Sequence, residues 1–162
     1  MSDSEGRGPG VVIPPPFIFV AGFVVGWAID RYVYRLFGPP SNPAVNRIMT
    51  AVGVILLLAG LALAFSGIAT FRRSKTSIAP NRDASRLVIA GPYRFTRNPM
   101  YSGLTMQYLG LSLLLSTAWA VLLLPLVLVV LYRFVIVREE RYLTAAFGDQ
   151  YREYQAQVGR WF

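Results

Sequence analysis

Apolar residues in this chain come in long blocks, and the charged positions fall between them. The first uncharged run able to cross a bilayer is Ile48 to Phe71, 24 residues. At about 1.5 Å rise per residue it spans a roughly 30 Å hydrocarbon core with some tilt. A second run, Asn98 to Tyr132, holds 35 uncharged residues, too many for one helix. It reads as a hairpin of Pro99 to Leu115, a turn at Ser116-Thr117, and Ala118 to Val137. Pro125 kinks the second arm, and Arg133 lies near its end, where a long stem can snorkel to the headgroups. An earlier apolar helix starts after Pro14-Pro15-Pro16 and runs from Phe17 to about Phe37. Asp30, Arg31 and Arg35 in its last turns make it the weakest of the spans, and the turn signals from Gly38 to Pro43 stop it. The pattern predicts an all-α integral membrane protein with about four transmembrane helices, over 17–37, 48–71, 99–115 and 118–137. Residues 17–162 form one domain in this reading. Residues 1–16, with Asp3, Glu5 and several glycines but no basic-then-apolar order, are expected to be a disordered arm and not a signal peptide.

Composition strengthens the membrane reading. Of 162 residues 54% are hydrophobic and 15% charged, against about 25% charged in soluble domains. The net charge is +8, and all the basic residues but Lys75 are Arg. Seven basic side chains (Arg72, Arg73, Lys75, Arg82, Arg86, Arg94, Arg97) crowd the connection between the second and third spans, and Arg138, Arg141, Arg152 and Arg160 follow the fourth. The positive-inside rule places both segments, and both termini, in the cytoplasm of a multi-pass protein, with a bacterial inner membrane as the expected location. Arg31, Arg35 and Arg47 around the first turn dissent and are outnumbered. Cysteine and histidine are absent, which excludes thiolate metal sites, cysteine nucleophiles, the Ser-His-Asp triad and any imidazole acid or base. No metal site and no nucleic-acid partner are expected. Gly22 and Gly26 form a GxxxG, followed by Gly53, Gly60, Gly103 and Gly110, a pattern for close helix packing within one chain or for a homodimer through Gly22 and Gly26.

The connection from Arg72 to Asn98 is longer than a minimal connector. Leu87, Val88, Ile89, Tyr93 and Phe95 call for burial, and Gly91-Pro92 and Asn98-Pro99 fix turns; the alternative is a basic loop resting on anionic headgroups. Beyond the fourth span, Leu143, Phe147, Tyr151, Tyr154, Val158 and Trp161 recur at helical steps. That stripe predicts a C-terminal amphipathic helix on the bilayer or over the loop, with Gly148 as a stop and Asp149 as a new N-cap. Glu139 and Glu140, two of only eight acidic residues, fall where the fourth span is expected to end. Carboxylates at a helix C-terminus meet the negative end of its dipole, so a cation is needed there, from the Arg cluster or from a ligand.

These residues resemble the membrane-embedded methyltransferases of the isoprenylcysteine carboxyl methyltransferase and phospholipid methyltransferase superfamily. That group carries a loop G-x-Y-x-x-x-R-H-P-x-Y, a helical hairpin, a Glu-Glu pair and F-G-x-x-Y-x-x-Y. Here they read Gly91-Pro92-Tyr93-Arg94-Phe95-Thr96-Arg97-Asn98-Pro99-Met100-Tyr101, then Glu139-Glu140, then Phe147-Gly148 through Tyr151 and Tyr154. Order and spacing agree from about Ser74 to Phe162. The resemblance implies S-adenosylmethionine as cofactor, a cytoplasmic cofactor-binding loop, and methyl transfer to a lipophilic acceptor such as an isoprenylcysteine carboxylate or a phospholipid amine. It implies cofactor contacts at Arg86, Leu87, Val88, Tyr93, Arg97, Asn98, Pro99, Met100, Tyr101, Glu139 and Glu140, with the two glutamates not separable. Arg133 and Arg138 are candidate substrate contacts, because the family's substrate-side Arg falls on Val135. The motif's His is Asn98 here, which keeps a donor and an acceptor but cannot titrate. Two other readings compete: a non-enzymatic membrane protein binding anionic lipid or a partner, and a membrane reductase using NADPH held by the Arg-rich loop.

Overall fold

In a computed structural model, residues 13–74 and 87–161 are described, and every regular element among them is a helix. Helix α1, Pro15–Ala28, starts on two prolines whose fixed φ suits a first turn, and it runs on through a π-helical turn, Ile29–Val33. Helix α2, Pro43–Arg73, again has proline at its start, and its N-cap Asn42 accepts from the Ala44 amide at 2.9 Å. After a 3-10 turn at Gly91–Arg94 come α3, Pro99–Leu114, and α4, Ala118–Leu131. A π-helical turn, Tyr132–Ile136, joins α4 to α5, Val137–Phe147, and α6 follows at Asp149–Gln157.

Three stretches are helices long and apolar enough to cross a membrane: Pro15–Val33, Pro43–Arg73 and Ala118–Phe147. The remaining predicted span, α3, has 16 residues, about 24 Å at the α-helical rise and short of a full core. The hairpin turn sits at the predicted Ser116-Thr117, where Ser116 takes φ 50°. The break at Gly148 is also where the pattern puts it, at φ 54°, with Asp149 as the first residue of α6 and not its cap.

Two expected helix ends are corrected: the first helix stops at Val33 and not near Phe37, because Tyr34 is extended, and the last span runs past its expected end. The chain does not end a helix near Val137; backbone order continues from Ala118 to Phe147. Glu139 and Glu140 therefore lie within a continuous helix, and the unfavourable dipole contact argued from sequence is not there.

Packing pairs α2 with α3 and α1 with α4. The α2–α3 seam is made of glycines. A Cβ on Gly60 would stand 2.5 Å from the Gly103 carbonyl oxygen, and one on Gly110 would stand 2.7 Å from that of Gly53, so these backbones touch directly. Gly22 meets Val127, and a Cβ on Gly26 would lie 2.5 Å from Ala120 Cα. That face is covered by α4 of the same chain, so Gly22 and Gly26 serve packing within the chain. Tyr108 locks the assembly from α3: it is buried, donates to the Ala120 carbonyl at 2.8 Å and meets Phe23 edge to face at 5.5 Å. At the hairpin-turn end, Asp30 accepts from the Thr117 hydroxyl and, at 3.2 Å, from the Trp119 amide. It thereby places a carboxylate at the N-terminus of α4. Large apolar side chains such as Val24, Leu58, Phe65, Leu122 and Leu126 remain outward, as a lipid-facing surface requires.

Candidate functional site

The motif loop, the start of α3, α5 and the C-terminal tail meet at one end of the bundle. Gly91 opens the loop at φ 59°, and a Cβ there would stand 2.7 Å from Thr70 Oγ1, so the turn lies directly on the end of α2. This seats Tyr93 in the interior, edge to face with Phe71 at 5.1 Å. Its carbonyl accepts from the Tyr154 hydroxyl at 2.6 Å, while its own hydroxyl is buried without a hydrogen-bond partner among the described residues. Room for that hydroxyl comes from α2: a Cβ on Gly67 would be 3.4 Å from it and 2.9 Å from Met100 Cγ. Burial pushes both phenols well above their ordinary range, reinforced at Tyr93 by the neighbouring Tyr154 and Glu139 charges and at Tyr154 by Tyr151, so both stay neutral at physiological pH.

The two glutamates separate. Glu139 accepts from the Tyr101 hydroxyl at 2.7 Å, across to α3, and no Arg or Lys among the described residues lies within 4.0 Å of it. Glu140 is held by cations: Arg160 Nε and Nη2 donate to its two oxygens at 2.8 and 2.9 Å, and Arg97 Nη1 stands 3.0 Å from Oε1. Those bonds raise the Arg160 pKa further. Adjacent helix positions point about 100° apart, which is why one carboxylate faces α3 and the other faces the tail.

Asn98 does not point its amide at an open site; Nδ2 donates to the Arg160 carbonyl at 3.2 Å. Thr96, fully buried, donates to the same carbonyl at 2.8 Å, and the Arg97 amide donates to Gly159 O at 2.8 Å. Of the expected contacts, Val88, Tyr93 and Pro99 are buried and Leu87, Arg97, Met100 and Tyr101 partly buried. Arg86 lies outside the described residues. Arg133 and Arg138 are exposed, Arg138 with an interaction of its own, while Val135 beside them is buried. The pattern missed Gly67, Thr96 and the Gly159-Arg160 backbone. Thr96 sits at an unspecified motif position, and Arg160 looked like one more membrane-flanking charge.

Chemically, the arrangement offers a partly buried carboxylate oriented by a neutral phenol, a second phenol with no partner among the described residues, and the Arg97 guanidinium, which meets Tyr151 and keeps donors unpaired among the described residues. Among the described residues Arg97 Nε has no hydrogen-bond partner, and its Nη1 is near Glu140 without the alignment of a hydrogen bond. No group of His, Cys, Asp or Glu suited to a metal ion occurs among the described residues.

The family model described as phospholipid methyltransferase matches residues 48–150. The chain is 35% identical over 82 residues to a protein-S-isoprenylcysteine O-methyltransferase of Schizosaccharomyces pombe, covering 50% of this chain and 35% of that one. It is 32% identical over 111 residues to protein-S-isoprenylcysteine O-methyltransferase B of Arabidopsis thaliana, 65% of this chain and 55% of that one. An uncharacterized protein of Haemophilus influenzae is 40% identical over 62 residues, 38% of this chain and 98% of that protein. The chain thus spans from about a third to just over half of the named methyltransferases it matches. No solved structure matches it.

Proposed function

The chain belongs to the phospholipid methyltransferase family, and from that premise we propose that it is an integral membrane S-adenosylmethionine-dependent methyltransferase acting on a lipophilic acceptor. The observation that carries the cofactor is Glu139. A partly buried carboxylate with one neutral donor and no cation in reach among the described residues is costly unless a cation arrives. The methionine end of S-adenosylmethionine brings a sulfonium and an ammonium. Its carboxylate matches the unpartnered donors of Arg97, and the Tyr93 hydroxyl is a further polar contact. The residues present therefore fit the group.

When bound, the cofactor would supply an electrophilic methyl group on a sulfonium sulfur, which leaves as a neutral thioether. The chain's own work is to hold it. Tyr101 fixes one oxygen of Glu139, and Gly67 leaves space beneath Tyr93. Transfer is an in-line displacement whose rate depends on positioning. A carboxylate acceptor arrives ionised and needs no base, which suits a chain without imidazole or thiol. The Arg distribution supports a cytoplasmic position for this end, with the acceptor reaching it from the bilayer. Protein isoprenylcysteines and phospholipids are the acceptor classes that the names of the relatives and of the family suggest.

Calorimetric titration of S-adenosylmethionine, S-adenosylhomocysteine and NADPH into the protein in nanodiscs tests this. Both adenosyl ligands should bind and NADPH should not. Binding of neither adenosyl ligand transfers the reading to a non-enzymatic membrane protein.

A further inference from the structure

We propose that Arg160 is a positioning residue of this site, acting through Glu140 to keep the Arg97 guanidinium free for an anionic group of the ligand. This rests on the cofactor reading above and goes beyond it, since it gives the two glutamates different tasks and makes the C-terminal tail part of the site.

Beyond α6 the tail leaves the helix; Val158 is extended, at φ −126° and ψ 126°. Its carbonyls have no helical donors, and the motif loop satisfies them: the Arg97 amide on Gly159, Thr96 and Asn98 on Arg160. With its backbone so fixed, the Arg160 side chain takes Glu140 in a two-point grip at 2.8 and 2.9 Å, while its guanidinium lies over the Tyr132 ring at 5.2 Å. One carboxylate thus stands between two guanidiniums and makes aligned bonds to only one. Arg97 retains attraction to Glu140 and meets the Tyr151 hydroxyl, but its buried Nε–H has no acceptor among the described residues. A buried donor left unmade is costly, and in a site shaped for a ligand it is a place for an acceptor. Without Arg160, Glu140 has both oxygens free and collapses onto Arg97, closing that donor set.

The decisive comparison uses two ligands in nanodiscs: S-adenosylhomocysteine, which carries the amino-acid carboxylate, and 5′-methylthioadenosine, which lacks it. Arg160→Met should weaken S-adenosylhomocysteine on the order of tenfold and leave 5′-methylthioadenosine unchanged. Arg160→Lys should recover part of the loss, because one charged contact to Glu140 remains. In a Glu140→Gln background Arg160→Met should cost nothing further. Equal losses for both ligands, additive losses with Glu140→Gln, or a lowered melting temperature at unchanged affinity each overturn the proposal. Hydrogen exchange of the Arg97 amide separates this from a structural role: its bond to the Gly159 carbonyl is main chain, so protection should be unchanged in Arg160→Met, and faster exchange overturns the proposal. If the wild-type protein binds neither ligand, the cofactor reading fails, and exchange still decides whether Arg160 holds the loop.

Discussion

Neutralising the two adjacent glutamates should produce opposite results. Glu139→Gln keeps the shape and an acceptor for the Tyr101 hydroxyl, now 2.7 Å from Oε1, but removes the charge. In the ligand-free protein this removes a partly buried carboxylate with no cation within 4.0 Å among the described residues, so stability should hold or rise slightly. A charge-assisted bond to the ligand contributes about 1.5–3 kcal/mol, so affinity for S-adenosylmethionine should fall roughly tenfold to a hundredfold. Glu140→Gln reverses the pattern. The side chains of Glu140 and Arg97 are only 14% and 10% exposed, and removing one partner of a buried pair costs about 3 kcal/mol. The more exposed Arg160, at 39%, reduces that figure through solvent screening. A melting temperature lower by several degrees is expected. Calorimetry and thermal melts on both variants in nanodiscs measure the two quantities side by side. Undiminished affinity in Glu139→Gln, or a larger loss of stability there than in Glu140→Gln, would refute the assignment.

Tyr93→Phe removes a buried hydroxyl without a described partner, so the melting temperature should not fall while cofactor affinity does; calorimetry with a parallel melt checks both. Gly60→Val forces a side chain into the Gly103 carbonyl, 2.5 Å from where its Cβ would sit, and overpacking costs of about 1–3 kcal/mol should appear as a lowered melting temperature in detergent. Asp30→Ala deletes the acceptor for Thr117 and Trp119, which should cost about 1 kcal/mol and loosen the hairpin turn, visible as faster hydrogen exchange at the Trp119 amide.

Hydropathy located the spans because apolar runs report the solvent around a helix. It misplaced the end of the last one for the same reason: charges at Arg138, Glu139 and Glu140 mark the exit from the bilayer, while the backbone hydrogen bonds run on through the π-helical turn to Phe147. The turn at Ser116-Thr117 and the break at Gly148 were legible from local chemistry. Motif spacing brought Tyr93, Tyr101 and the glutamates to one end of the molecule. It could not say which glutamate faces α3, because that depends on helix rotation set by packing. Nor could it show that Asn98 reaches the Arg160 carbonyl, a contact between residues far apart in sequence and fixed by how the tail lies.

The carboxylate of Asp30 has a bearing on biogenesis. Its partner Thr117 lies 87 positions later, so at about 5–20 residues per second the ribosome needs roughly 4–17 s to deliver it. Until then α1 waits at the membrane with an acidic group lacking the two donors of the hairpin turn and with the glycine face that α4 will cover still open. Its neighbour in sequence, α2, docks mainly on α3 and offers no early substitute. Helix α1 is therefore secured by an element synthesised 87 positions later, and nascent chains that lose the α3–α4 hairpin expose both the acid and the glycine face to membrane quality control.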